Sequence, residues 1–355
     1  MKKRIDYIDN MRGFTILWVV FYHCFIDSFY FLDIDLIKHP IISKFRMPLF
    51  FFLSGIFFRR RSFSEFFSKR FKTLIIPFIS FYIISVLFTL IKENLKENIL
   101  NIDMESSNFF KESAFAIIYL FHIHPPVTPT AINLALWFLP VMFTVQMFHY
   151  MIDKLTEKRW IMVSIAIIFC IISVILEKND VSEWCYLNAT VKYYIFYLSG
   201  SMTGIKMLKF FENKRYAILV LLFSLFAYFL LFRLRIESEI IMYMIDFATV
   251  ICFIVFIFTF FRFAENFRIF NLLKFWGQHS LEVLVTHMLI IPVVTGVTAR
   301  CLQSVLLMDL RDHQWLFVFL VFMICVLLEV PVIWFCNRFL QPLLGKKPLM
   351  VWGRG

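Results

Sequence analysis

Apolar residues along this chain gather in ten blocks of roughly 20 residues, long enough for a helix to cross a hydrocarbon core about 30 Å thick. They lie at roughly 12–32, 41–58, 73–91, 135–152, 160–176, 192–208, 216–232, 240–261, 277–298 and 315–336, with most of the charge in the stretches between them. Inside the blocks apolar and polar positions do not alternate strictly, which argues for helices and against the strands of an outer-membrane barrel. The pattern therefore predicts an all-α, polytopic integral membrane protein with about ten transmembrane helices. The first block runs on without a small-residue cleavage site, so it is expected to stay in the membrane rather than act as a signal peptide. No internal repeat or linker divides the chain, and residues 1–355 read as one membrane domain.

Composition agrees. Hydrophobic residues make up 61% of the chain and charged ones 17%, against roughly 45–50% and about 25% in soluble domains. A water-soluble enzyme and a disordered binding module are both excluded on that ground. The net charge of +11 is no sign of nucleic acid here, because the cations lie between apolar blocks, where they set topology and meet anionic lipid. Alternate connections carry 24 Lys and Arg against 7 Asp and Glu; everything else carries 12 against 18. The cation-rich side includes both termini, which the positive-inside rule places in the cytoplasm. The segment from about residue 92 to 134 then lies outside, with an apolar run at Ala114–Phe121 read as a re-entrant or interfacial helix and a His-Pro-rich turn at His122–Pro129. Seven Cys are scattered without metal-ligand spacing, so no metal is expected.

Two places carry candidate chemistry. Arg12 and His23 are eleven residues apart, which at about 100° per residue returns to within ~20° of the same helix face, ~16 Å further along the axis. An ionisable side chain at that depth faces a polar cavity or a partner. Asp27 follows one turn later, within reach to orient the imidazole. The plainer reading is a histidine hydrogen-bonded to a neighbouring helix, and both stay open. In the second block Ser54 and Gly55 interrupt a wall of Phe. The connection at 59–72 then carries Arg59, Arg60, Arg61, Lys69, Arg70 and Lys72. Six cations in fourteen residues fit either a cradle for a polyanion such as coenzyme phosphates or a patch for anionic lipid. Trp137, Trp184, Tyr193 and Tyr194 fit a sugar-stacking rim or interfacial anchoring equally.

Arg12-x10-His23, then Met47-Pro-Leu-Phe-Phe-Phe-x-Ser54-Gly55, then the basic loop ending at Pro77, resemble the integral-membrane acyltransferase 3 family. Leu136-Trp137-Phe138-Leu139 and Gly277-x-His279-Ser280-Leu281 with His287 extend the likeness over the whole chain. The resemblance implies transfer of acetyl or another short acyl group from cytoplasmic acetyl-CoA to a sugar hydroxyl. The expected acceptor is a glycan or lipid-linked glycan handled at the bacterial inner membrane: O-antigen, capsule or exopolysaccharide. It implies His23 as the general base with Arg12 as its partner, and Asp27, by its place one turn on, completes the candidate catalytic set. Arg59, Arg60, Arg61, Lys69, Arg70, Lys72, Ser54 and Gly55 would lie toward the coenzyme, and Trp137 toward the acceptor. Where many members carry Arg-x-x-Arg, this chain has Lys69-Arg70-Phe71-Lys72, without the paired guanidinium forks. The competing expectation is a glycan-lipid transporter or flippase, which shares basic loops and many spans; the inverted repeat that would favour it is not visible.

Overall fold

The computed structural model describes residues 5–34, 45–100, 133–178, 187–210, 214–234, 239–305 and 309–346. Among them every regular element is helical. The expected re-entrant run and His-Pro turn lie outside the described residues.

Helix α1 (Asp6–Phe31) is the axis of the described bundle. It is followed by α2 (Arg46–Ile56), α3 (Phe63–Arg70), α4 (Ile76–Leu100), α5 (Phe138–Leu155) and α6 (Arg159–Lys178), then α7 (Leu187–Phe210), α8 (Lys214–Arg233) and α9 (Glu239–Phe263). The short α10 (Asn271–Gln278) leads into α11 (Ser280–Val305) and α12 (Gln314–Phe339). Among the described residues, seven helical stretches are long and apolar enough to cross a membrane: Asp6–Phe31, Phe63–Lys92, Leu134–Leu155, Arg159–Glu177, Met244–Phe263, Ser280–Ser304 and Gln314–Phe339. Of the other three apolar blocks, 41–58 and 216–232 fall on shorter apolar helices, Arg46–Ile56 and Tyr216–Leu231, and 192–208 falls on α7. The chain is thus an all-helical, multi-pass membrane protein.

Local sequence explains the joints that matter for the site. Pro48 sits in the first turn of α2, where a missing N–H costs nothing. Ser62 caps α3, its hydroxyl accepting from the Glu65 amide at 3.4 Å, while the Glu65 carboxylate pairs with Arg61. This is the Ser-x-x-Glu arrangement that starts a helix. Between α3 and α4 the backbone widens into one π turn, Phe71–Ile75. Pro77 follows at once; it lacks an amide for the i−4 carbonyl, and a locally wider turn accommodates its ring. The Thr73 hydroxyl bonds the Lys69 carbonyl at 3.0 Å inside that turn. The basic loop is therefore a helical corner with fixed directions for its side chains.

Helix α1 packs on α2, α9, α10, α11 and α12. Its contact with α10 is backbone to backbone: a Cβ on Gly13 would overlap the Leu273 carbonyl, and one on Gly277 would overlap the Asp9 carbonyl. A second pair, Gly55 and Gly200, lets α2 and α7 approach in the same way. Small residues at membrane helix crossings permit such contact. Large apolar side chains point outward from α6 (Ile167, Ile168, Ile171, Ile175) and α8 (Leu219, Leu222, Phe223, Phe226). On a soluble protein a continuous patch of that kind would mark an interface; on a helical bundle in lipid it is the outer wall.

Candidate active site

At the basic end of the bundle, where α1 begins, a cavity of about 580 Å³ opens. One wall is α1, through Ile8, Asp9 and Arg12. The stretch after α2 adds Phe57, Arg59 and Arg61, and α3 adds Lys69 and Arg70. The α10–α11 corner supplies Gly277, Gln278, Ser280, Leu281 and Glu282, and the C-terminal turn supplies Lys346. Six cations thus meet two carboxylates around one space.

Arg12 and Lys346 are each held by a carboxylate. Arg12 lies 4.0 Å from Asp9 and over the Phe57 ring at 5.2 Å; Asp9 also accepts from Gln278 at 3.4 Å. Glu282, 1% exposed, receives Lys346 at 2.5 Å and His279 at 3.1 Å. Asn337 takes a second proton of Lys346 at 2.9 Å. The C-terminal turn is locked in place by Gly345, whose φ of +65° suits glycine and whose Cα abuts the Lys72 carbonyl.

A second cavity of about 190 Å³ shares Arg12, Arg70, Ser280 and Leu281 with the first and leads inward between α1, α2, α5 and α11, past Ile16, Phe50, Phe138 and Leu284. Besides the shared Arg12, Arg70 and Ser280, its polar lining is Ser54, Thr73 and Gln146; Gln146 donates to the Ser54 hydroxyl at 3.0 Å. Beyond Ile16, seven residues and ~10 Å further along α1, stands His23.

His23 and Arg12 both look at α11. The His23 ring lies 5.2 Å from the ring of His287, on the helix that also brings Ser280 and Leu281 to the Arg12 cavity. Arg46, 7% exposed, stacks its guanidinium 3.4 Å above Tyr22 and is within electrostatic range of both imidazoles. Asp27 lies near Thr295 of α11, whose hydroxyl donates to the Ile291 carbonyl at 3.0 Å, and no hydrogen bond joins Asp27 to His23 among the described residues.

The predicted coenzyme residues divide. Arg59, Arg61, Lys69 and Arg70 line the basic cavity, and Ser54 lines its inward extension. Arg60 turns the other way. It donates to Asp153 at 2.7 and 3.1 Å and to Glu157 at 2.7 Å, beside a separate cavity of about 330 Å³ that includes His149. The two carboxylates push its already high pKa further up. Lys72 borders neither the basic cavity nor its extension, and Gly55 is spent on the contact with α7. Trp137 ends the 3-10 turn Leu134–Trp137, its ring 5.8 Å from Tyr193 and 6.4 Å from Phe138. Sequence reasoning misses Arg46 and Lys346, and it takes His287 as a structural residue or a support behind the catalytic ones. An arginine at the wet end of a span and a histidine inside one are signals in themselves. Lys346 had none, since a tail lysine looks like any topological charge.

No curated protein and no solved structure matches this chain. The family model described as an acyltransferase domain matches residues 5–334. The geometry and this match together cover the basic cavity, its inward extension and both imidazoles, and the chain belongs to the acyltransferase 3 family of membrane enzymes that transfer acyl groups other than aminoacyl groups.

Proposed function

We propose that the enzyme O-acetylates a cell-surface glycan, of the O-antigen, capsule or exopolysaccharide kind, using acetyl-CoA from the cytoplasm. The observation that carries this reading is a pair of adjoining cavities that share Arg12, Arg70, Ser280 and Leu281: a cationic chamber at one end and a smaller, more apolar space that reaches Ile16, about two turns of α1 short of His23. A chamber of about 580 Å³ falls within the ~300–1,000 Å³ of small-molecule sites. Its guanidinium and ammonium groups suit the phosphates of a coenzyme. Family membership favours acyl transfer over the transport alternative.

In this reading both termini and the basic chamber are cytoplasmic, ten helices cross the bacterial inner membrane, and the acceptor comes from the other side. When bound, the coenzyme thioester supplies an activated acyl carbon and a stable leaving thiolate. Arg12, Lys69 and Arg70 hold the phosphates, with Arg59, Arg61 and Lys346 around them. Ser54 and Gln146 give the extension its polar handles. His23 takes the proton of the acceptor hydroxyl as that oxygen bonds the acyl carbon, and returns the proton to the departing sulfur. Base catalysis of this kind contributes ~10²–10⁴-fold.

The test is the ester content of the surface glycan. Deleting the gene should remove an alkali-labile ester while leaving polymer amount and length unchanged, and a His23→Ala copy should fail to restore it. Accumulation of unmodified lipid-linked glycan inside the cell would contradict the reading.

A further inference from the structure

His287 lies wholly buried in α11. Its Nδ1 is 2.7 Å from the Val283 carbonyl oxygen one turn earlier. A carbonyl only accepts, so Nδ1 carries the proton and Nε2 is left as a bare acceptor. That Nε2 has no exposed surface and no hydrogen-bond partner. Buried acceptors are seldom left so. The ring opposite is His23, its centroid 5.2 Å away at a tilt of 50°.

Neighbouring polar groups are engaged elsewhere. Thr286, one residue before, sends its hydroxyl to Glu329 of α12 at 2.9 Å, so α11 offers consecutive residues to different helices. Arg46 is a donor and rests on Tyr22; Asp27 lies near Thr295 and makes no hydrogen bond to His23 among the described residues. What a neutral catalytic histidine needs from a partner is an acceptor for its second N–H, because that bond decides which nitrogen stays free for the substrate.

We propose that His287 is the positioning residue of this active site. During turnover the two rings, whose centroids stand 5.2 Å apart, close so that the His287 Nε2 accepts the N–H of His23 and holds His23 in the tautomer whose other nitrogen takes the hydroxyl proton. The acceptor O–H then gives its proton to that nitrogen. The C–O bond forms as C–S breaks, and the proton passes to the leaving thiolate, so His23 ends as it began. The backbone carbonyl of Val283, fixed by helix geometry, sets the whole chain of orientation. This inference rests on the reading of His23 as the base.

The experiment compares purified His287→Gln, His287→Asn and His287→Leu for release of coenzyme A from acetyl-CoA in the presence of glycan acceptor. The side-chain carbonyl of Gln stands close to the place of Nε2; that of Asn stands near Nδ1 and leaves the acceptor missing. Asn and Leu should lower kcat about 100-fold or more, on the scale of misplacing a catalytic histidine, with KM for acetyl-CoA unchanged. Gln should recover at least about tenfold of the loss. In a His23→Ala background His287→Asn should cost nothing further, as expected of residues acting as one unit. Equal activity of Asn and Gln, or losses that multiply, would overturn the proposal. Acetyl-CoA binding by each variant reports its folding, and if Leu folds poorly the Asn–Gln pair decides alone. A wild type that releases no coenzyme A, or a fully active His23→Ala, would instead defeat the reading of His23 itself.

Discussion

Arg60 and Arg70 belong to one basic connection and meet opposite fates. Arg70 faces the chamber; Arg60 is clamped by Asp153 of α5 and by Glu157 just beyond it. A charge-assisted phosphate contact is worth ~1.5–3 kcal/mol, so Arg70→Gln or Lys69→Gln should raise KM for acetyl-CoA about 10–100-fold with kcat little changed. Arg60→Gln, which breaks only an exposed ion network, should leave KM within about twofold. Steady-state kinetics of the three variants check this, and an equal effect of Arg60 would undo the assignment. The sequence made the cluster of cations visible but not its sorting, because the carboxylates that capture Arg60 lie 93 and 97 residues away. The same holds for His23. Helical periodicity put Arg12 and His23 on one face, and both do look at α11. Periodicity within one helix had no means of seeing His287 across an interface.

Long apolar helices were legible as blocks because their length alone identifies them. Short elements were not. The eight-residue α10 falls partly in an expected loop, since two turns are too few for periodicity to declare itself. It nonetheless fixes Arg12, through the crossing of Gly13 with Gly277. Filling that crossing forces backbones apart, and overpacking costs about 1–3 kcal/mol. Gly13→Ala should therefore lower the thermal midpoint of the purified protein and weaken acetyl-CoA binding. Gly296, in α11 with nothing within 4 Å of an added Cβ, is the control: Gly296→Ala should be neutral or stabilise by up to about 1 kcal/mol. The C-terminal turn makes a parallel case. Gly345→Ala meets both an unfavourable φ and the Lys72 carbonyl, so it should loosen Lys346 from Glu282 and raise KM without touching kcat. A kcat loss equal to that of His23→Ala would show that the turn does something other than border the chamber.

Across the whole molecule, charge and apolarity are arranged on different axes. Apolar side chains of α6 and α8 face outward, while cations gather at the end where α1 begins and α12 finishes, around the chamber. Charge bias between alternate connections carried the expected topology, with both termini on the acyl-donor side. Tags at the two ends should therefore resist protease in intact spheroplasts and be cut after lysis; cleavage of either in intact cells would reverse the orientation. What composition could not convey is that the same cations that bias topology also wall a cavity beside a second, inward one, since that depends on how α2, α5 and α11 meet. The most direct test of the account is stoichiometric turnover by the purified enzyme with acetyl-CoA and the membrane glycan fraction. Wild type should release one coenzyme A thiol for each ester formed on glycan, and His23→Ala should bind acetyl-CoA with unchanged affinity while forming neither. Ester formation by His23→Ala at the wild-type rate, or no consumption of acetyl-CoA by the wild type, would contradict it.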